Sequence, residues 1–287
     1  MPELPEVETV KNQLVPHITG RTIRSVELLW EGMVKGMPAK EFLQRIRGQK
    51  ILKISRRGKY LLLALSSGEY LVIHLKMTGS LRLGKDGDTE QPRFTRAIIH
   101  LDDGQEIYFA DPRKFGVLKV IDNLHHVESK LGPEPFEAEF TEKYFIDSLK
   151  KRKTPIKALL LDQKFLAGVG NMYADEALFA SKIYPARSAD SLTRNEARKL
   201  YHAIRDVLTA AIGSGGASVV TYFHPDGSKG TAHFQFNVAH GQVKNCHVCG
   251  TPIERMVVRG RGTYYCPHCQ PKKPGNHEKY PKVSSKK

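Results

Sequence analysis

Gly132-Pro133-Glu134-Pro135 divides the chain. Two prolines within four residues disfavour both helix and central strand, so residues 132–137 read as a linker or domain boundary. Upstream lie short runs rich in β-branched and aromatic residues: Thr22–Trp30, Lys50–Ser55, Tyr60–Leu65, Tyr70–Lys76, Ala97–Leu101, Glu106–Ala110 and Val117–Ile121. Turn dipeptides such as Ser67-Gly68 and Asp103-Gly104 separate several of them. A regular series of this kind predicts an antiparallel sandwich or barrel. Residues 39–46 read as a short helix between strands. Residues 5–17 read as a helix packed on the sheet, with Val7, Val10 and Leu14 at i, i+3 and i+7.

Downstream of the prolines the period is helical, over 141–152, 155–164, 171–183 and 193–213. Thr193 and Glu196 fit a capping box, and Gly213 with Gly215-Gly216 provides a stop. Leu166–Asn171 is a tight glycine-containing turn leading into a helix. Its backbone amides would suit an anion, and an ordinary helix connection is an equal reading. Residues 214–245, rich in Gly and His, predict a long loop followed by a strand, and loops of that length are often functional. The expected fold is α+β and multidomain: a β-rich unit over 1–131, the linker, a helical unit over 138–240, a cysteine module over 241–270 and a disordered basic tail over 271–287.

With 287 residues, 40% of them hydrophobic, the chain can bury one large core or two ordinary ones. It lacks a long apolar run and a secretory N-terminus, which points to a cytoplasmic protein. The formal charge of +15 suits a polyanionic partner. Without a basic amphipathic helix, nucleic acid is favoured over an anionic membrane, and the tail is at most a non-specific electrostatic aid.

All 4 cysteines fall in Cys246-x-x-Cys249 and Cys266-x-x-Cys269. Two such knuckles joined by a hairpin-length spacer suit a closed, structural zinc site of four thiolates. A redox pair or an iron–sulfur cluster is the alternative, and His247 and His268 read as bystanders. The spacer carries Arg255, Arg259 and Arg261, the last flanked by Gly260 and Gly262. Such a hairpin suits nucleic acid, or is a solvated charged turn.

The chain opens Met1-Pro2-Glu3-Leu4-Pro5-Glu6. Trimming of Met1 would leave a proline secondary amine. α-Amines have a pKa of ~8, so part of the population is neutral and able to form an iminium with a carbonyl-like carbon. Glu3 and Glu6 could move protons for that amine or hold it. The plainer local reading is a helix start, with Pro5 opening the helix and Glu6 and Glu8 complementing its dipole.

Taken in order, several motifs carry a resemblance over about residues 1–270. They are the opening Met-Pro-Glu-Leu-Pro-Glu-Val-Glu-Thr, Arg56-Arg57-Gly58-Lys59-Tyr60, His74-Leu75-Lys76-Met77, Asp111-Pro112-Arg113-Lys114-Phe115-Gly116, Gly132-Pro133-Glu134-Pro135, Gly168-Val169-Gly170-Asn171 and Arg259-Gly260-Arg261-Gly262-Thr263. The chain resembles the bacterial formamidopyrimidine-DNA glycosylases, also called DNA-(apurinic or apyrimidinic site) lyases. Leu4 favours this branch over the endonuclease VIII branch.

The resemblance implies an N-terminal β-sandwich with its helix, a helix–two-turn–helix domain and a four-cysteine zinc finger, with DNA in the cleft between. It implies removal of oxidised purines from duplex DNA by a monomer, then strand nicking by β,δ-elimination. In that likeness Pro2 is the nucleophile, Glu3 the acid/base, and Glu6 positions the N-terminus. Lys59 donates a proton in β-elimination, and Arg261 serves δ-elimination. Met77, Arg113 and Phe115 fill the gap left by a flipped base. His74, Arg152, Lys157, Gly170 and Asn171 grip phosphates.

The chain departs from the pattern in three places. Arg93 and Arg96 stand where histidines are frequent, and they remain able to bind phosphate. Ala217 replaces a serine. Ala239-His240 replaces a Tyr-Gly pair in the segment that closes over the everted base. Two other functions stay open: a non-catalytic zinc-finger protein that binds damaged DNA, and a lyase for oxidised pyrimidines.

Overall fold

The computed structural model describes residues 1–85, 91–218, 223–241 and 243–273. The expected tail lies outside them from residue 274. The chain forms two compact units, Met1–Ser129 with Ala211–His233, and Lys130–Ala210 with the chain from Phe234 onward.

In the first unit, α1 (Leu4–Ile18) precedes β1 (Ile23–Leu28), α2 (Ala39–Ile46) and seven further strands. These are β2 (Ile51–Arg57), β3 (Tyr60–Leu65), β4 (Tyr70–His74), β5 (Ser80–Lys85), β6 (Thr95–Leu101), β7 (Gln105–Ala110) and β8 (Val117–Ile121), and the short α3 (His125–Glu128) follows them. The strands form two antiparallel four-stranded sheets, ordered β1-β6-β7-β5 and β2-β3-β4-β8. Alternation sends Ile99, Leu101, Ile107 and Phe109 of one sheet, and Leu61, Leu63, Leu71 and Ile73 of the other, into one core. The apolar stripe of α1 joins that core through Val7, Val10, Leu14 and Ile18, and α2 adds Phe42 and Ile46. The expected sandwich and its N-terminal helix are therefore present.

Besides the β1-to-β2 connection that carries α2, two short crossovers connect the sheets. One runs from β4 to β5 through Leu75–Gly79, the other from β7 to β8 through Asp111–Gly116. Within the second sheet, β2 and β3 are joined by Gly58-Lys59, with φ of +56° at Gly58 and Arg57 opposite Tyr60. A positive φ at the first central residue is the mark of the II′ hairpin turn, which glycine adopts without strain.

The second unit holds α4 (Glu142–Leu149), α5 (Ile156–Leu160), α6 (Asn171–Ala180) and most of α7 (Arg194–Gly213), whose last residues belong to the first unit. Glu196 closes the expected capping box on Thr193 N at 2.9 Å. The hairpin β9 (Glu254–Val258) and β10 (Arg261–Tyr265) spans the spacer between the cysteine pairs. Its loop is Arg259-Gly260, with φ of +46° and +77°, the two positive values of a type I′ turn. Among the described residues no helix is long and apolar enough to cross a membrane.

Four points of local structure differ from the sequence reading. β5 falls where the sequence pattern assigns no element; Gly84 and the charged Arg82 and Lys85 hide its pattern. The helix expected over 155–164 stops at Leu160, where Phe165 N bonds Asp162 O at 2.9 Å and closes a turn instead. The helix expected over 171–183 ends at Ala180, and Lys182 takes a left-handed φ of +59° with Ile183 N bonded to Leu178 O, a Schellman ending with lysine in glycine's place. Residues 214–245 hold no strand among the described residues. The amides of Asn237, Val238 and Ala239 donate instead to the Glu176 carboxylate at 2.8–3.0 Å, so a buried side chain does the work of a ladder partner.

Candidate functional site

The head of α1 is built around carboxylates. Pro2 is buried, and Glu3 and Glu6 are each 1% exposed, while Met1 reaches solvent. Glu6 accepts from Glu3 N at 2.7 Å through one oxygen and from Ala217 N at 2.7 Å through the other. The chain needs glycine beside that contact: Gly216 has φ of +74°, and a Cβ there would lie 2.9 Å from Glu6 Oε1. The 214–218 segment is closed in turn by Thr231 N on Ser214 O and Ala232 N on Gly216 O, both at 3.0 Å. Glu6 thus joins the first turn of the protein to the base of a loop 211 residues away. Lys59, carried by the II′ turn, is 7% exposed.

Burial pushes the His74 imidazole down to about 3, with the charges of Lys76 and Lys59 adding to the effect. Its Nδ1 accepts from Lys76 N at 2.9 Å, so the ring proton sits on Nε2. His74 is therefore a neutral donor that can serve a phosphate or carbonyl oxygen without titrating. Unfolded histidine takes a proton near ~6.5. The folded pKa is depressed, so this group's share of stability is complete above that value and lost as pH falls toward about 3. NMR should show no His74 protonation across about pH 5 to 8; a midpoint near 6 would refute the assignment.

Met77, Arg113 and Phe115 come together, on the two short crossovers β4-to-β5 and β7-to-β8. Met77 and Phe115 are 43% and 48% exposed, a high value for large apolar side chains held in place by neighbours. Arg113 Nη1 lies 3.4 Å from Met77 Sδ, and its guanidinium stands 4.7 Å from the Phe115 ring centre. Arg93 stacks on Phe94 at 4.6 Å, and Arg96 donates through Nε to Asp111 O at 2.9 Å. Arg96 is thus partly spent on the crossover, whereas Arg93 is exposed.

In the second unit, Arg261 is exposed at the start of β10 and Arg152 is exposed just beyond α4. Gly170 is the N-cap of α6, and Asn171, its first residue, donates through Nδ2 to Gly262 O at 3.0 Å. Lys157 overturns one expectation. It is fully buried, and its ammonium meets Asp175 Oδ1 at 2.7 Å, Gly262 O at 2.9 Å and Thr263 Oγ1 at 2.9 Å. A direct phosphate grip is not open to a side chain so enclosed. Asp175 also accepts from Tyr264 N at 3.1 Å. Lys157, Asp175 and Asn171 together fasten the strand beside Arg261 to α5 and α6, a role that nothing in the local sequence around 157 or 175 signals.

The four cysteines are free thiols whose sulfurs lie within 4.8 Å of one another. Separations of 3.8 Å (Cys246–Cys269), 3.5 Å (Cys249–Cys266) and 3.6 Å (Cys249–Cys269) match the ~3.8 Å edge of a tetrahedron with ~2.3 Å zinc–sulfur bonds. The set leaves no open coordination position, so the site is structural. Gln270 anchors the second knuckle, accepting from Cys266 N at 3.0 Å and donating to Ile183 O at 2.9 Å.

Family models match along nearly the whole chain: the formamidopyrimidine-DNA glycosylase N-terminal domain over residues 1–118, the formamidopyrimidine-DNA glycosylase H2TH domain over 131–222, and a zinc finger found in FPG and IleRS over 244–272. The chain belongs to the formamidopyrimidine-DNA glycosylase family. A family member from Heliobacterium modesticaldum is 44% identical, across 94% of this chain and 100% of that protein. Among solved structures, the MutM (Fpg) protein of Thermus thermophilus superposes with a TM-score of 0.85 at 42% identity, covering 95% of this chain and 100% of that one. The Lactococcus lactis Fpg in complex with DNA containing an abasic site gives 0.87 at 34% identity, covering 94% and 100%. With the sulfur geometry, the zinc-finger match assigns one structural zinc ion to the family's C-terminal module here.

Proposed function

We propose that this protein is a base-excision repair glycosylase and lyase for oxidised purines such as 8-oxoguanine and formamidopyrimidines in duplex DNA. The observation that carries the reading is the first turn, where Pro2 and Glu3 lie buried at a helix head whose Glu6 closes back on Glu3 N. Family membership supports it, and so do Lactococcus lactis Fpg structures with DNA containing an abasic site or Fapy-dG.

In this reading Met1 is removed and the Pro2 nitrogen attacks the sugar C1′. The N–C1′ bond forms as the bond to the base breaks, and the base leaves with the electron pair and takes up a proton. Glu3 moves the proton that opens the sugar ring and leaves an iminium. Lys59 gives a proton in β-elimination, which expels the 3′ phosphate, and Arg261 assists δ-elimination, which expels the 5′ phosphate. Met77 and Phe115 replace the stacking lost on base eversion, and Arg113 bonds the orphaned partner base. His74, Arg93, Arg96, Arg152, the Gly170 turn and Asn171 contact phosphates, while Lys157 acts indirectly through the Arg261 hairpin. Residues 1–131 form the catalytic domain, 138–240 the helical domain with its lesion loop, and 241–270 the finger. The protein acts as a cytoplasmic monomer.

Incubation with an 8-oxoguanine duplex and borohydride should give a covalent protein–DNA adduct, and without borohydride a nicked strand. Salt-sensitive binding with neither product would favour a non-catalytic damage binder. Preferential incision at thymine glycol would move the substrate class to oxidised pyrimidines.

A further inference from the structure

We propose that Asp111 is a positioning residue that ties the Met77 crossover to the Arg113–Phe115 crossover, so that the three side chains enter DNA as one preformed wedge. This rests on the function proposed above.

The two crossovers are forced to run side by side. β4 pairs with β8 and β5 pairs with β7, so the connections β4-to-β5 and β7-to-β8 join the same two pairs of neighbouring strands and run between the sheets in opposite directions. Proximity alone would leave two independent loops. Asp111, 1% exposed, joins them. Its Oδ2 accepts from Phe115 N at 2.6 Å and Gly116 N at 2.7 Å, and its Oδ1 from Arg113 N at 3.1 Å. The same Oδ1 accepts from the Thr78 hydroxyl, which belongs to the other crossover. Hydrogen bonds to a carboxylate are about twice as strong as neutral ones.

Beneath the carboxylate, one aromatic ring seats both loops. A Cβ on Gly79 would lie 2.9 Å from the Phe109 ring, and one on Gly116 would lie 2.5 Å from it, so both glycines rest directly on that ring. Each tip also follows a lysine in left-handed backbone, Lys76 (φ +55°) before Met77 and Lys114 (φ +60°) before Phe115. Such conformations persist in non-glycine residues only where the surroundings impose them. A wedge fixed before binding spares the entropy of ordering two loops at the moment a base is displaced.

Thr78→Val removes the hydroxyl that links the loops and leaves the three amide bonds of Asp111 in place; Thr78→Ser keeps the hydroxyl. Two rates separate wedge from chemistry: incision of an 8-oxoguanine duplex, and nicking of a preformed abasic site in single-stranded DNA, where no base is displaced. For T78V we expect kcat/KM on the duplex to fall on the order of tenfold, as for loss of a hydrogen bond to a charged group. Nicking of the single strand should stay within about twofold and T78S near the parent. D111N should shift the same ratio further, and if that variant fails to fold, T78V still decides. Equal rates for T78V and the parent on both substrates, or an equal fall on both, would overturn the proposal. Absence of both activities in the parent would instead overturn the function on which it rests.

Discussion

A form of the protein that keeps Met1 should give no borohydride-trapped adduct, and its lesion incision should fall by at least about 10³-fold, the scale on which removal of a covalent nucleophile acts. With Met1 in place the Pro2 nitrogen is a tertiary amide, whose lone pair is delocalised into the carbonyl. Pro2 is already buried and Met1 already reaches solvent, so an extension at this end need not disturb the fold. Its effect should therefore fall on chemistry and leave binding of lesion duplex within about twofold of the processed protein, since the residues proposed above to contact phosphates lie elsewhere in the chain. Mass spectrometry of the N-terminus beside single-turnover incision makes the comparison. Normal cleavage by a protein shown to retain Met1 would end the proline mechanism.

Lys157→Ala should cost about 3–5 kcal/mol of stability in the second unit, because it leaves Asp175 buried without its cation. Lys157 and Asp175 are 0% and 1% exposed in their side chains, so water cannot take the lysine's place cheaply. The pH dependence gives the cause away. Burial pushes the Asp175 carboxyl up, and Lys157 is the main group opposing that rise. Asp175 already sits at about 6 with Lys157 present, and without Lys157 its folded pKa climbs further, so the variant's deficit should be smallest below about pH 6 and grow as pH rises above it. Replacing the pair together by apolar residues of similar size should recover much of the loss. Denaturant melts at several pH values measure all three. A deficit that does not depend on pH would show that the lysine's packing, and not its charge, holds the hairpin.

Much of this molecule is legible in its sequence, for reasons that differ from place to place. The zinc site is readable because clustered cysteines at this spacing have few other uses. The sandwich is readable because period-two runs of β-branched residues, cut by Ser67-Gly68 and Asp103-Gly104, are hard to fold otherwise. Lys157 misleads because a lysine in a basic chain looks solvated, and its burial is decided by Asp175, Gly262 and Thr263, all distant in sequence. Asp111 passes for the first residue of an Asp-Pro turn, and its bond to Thr78 depends on a topology that no local pattern encodes. Glu176 is likewise an ordinary helix glutamate until three amides of the 237–239 segment are found on it. Pattern reveals elements and donor sets; which buried polar group organises them is settled only by the folded neighbourhood.

The bond between Glu6 and Ala217 also sets a timetable. The two residues are 211 positions apart, so a ribosome working at about 5–20 residues per second makes the second roughly 10–40 s after the first. Throughout that interval the head of the chain lacks this partner. Once Ala217 has emerged, the bond can form and the first turn is tied to the base of the loop. On the function proposed above, trimming of Met1 can therefore begin long before the first turn is tied down, and it can continue afterwards because Met1 stays at the surface.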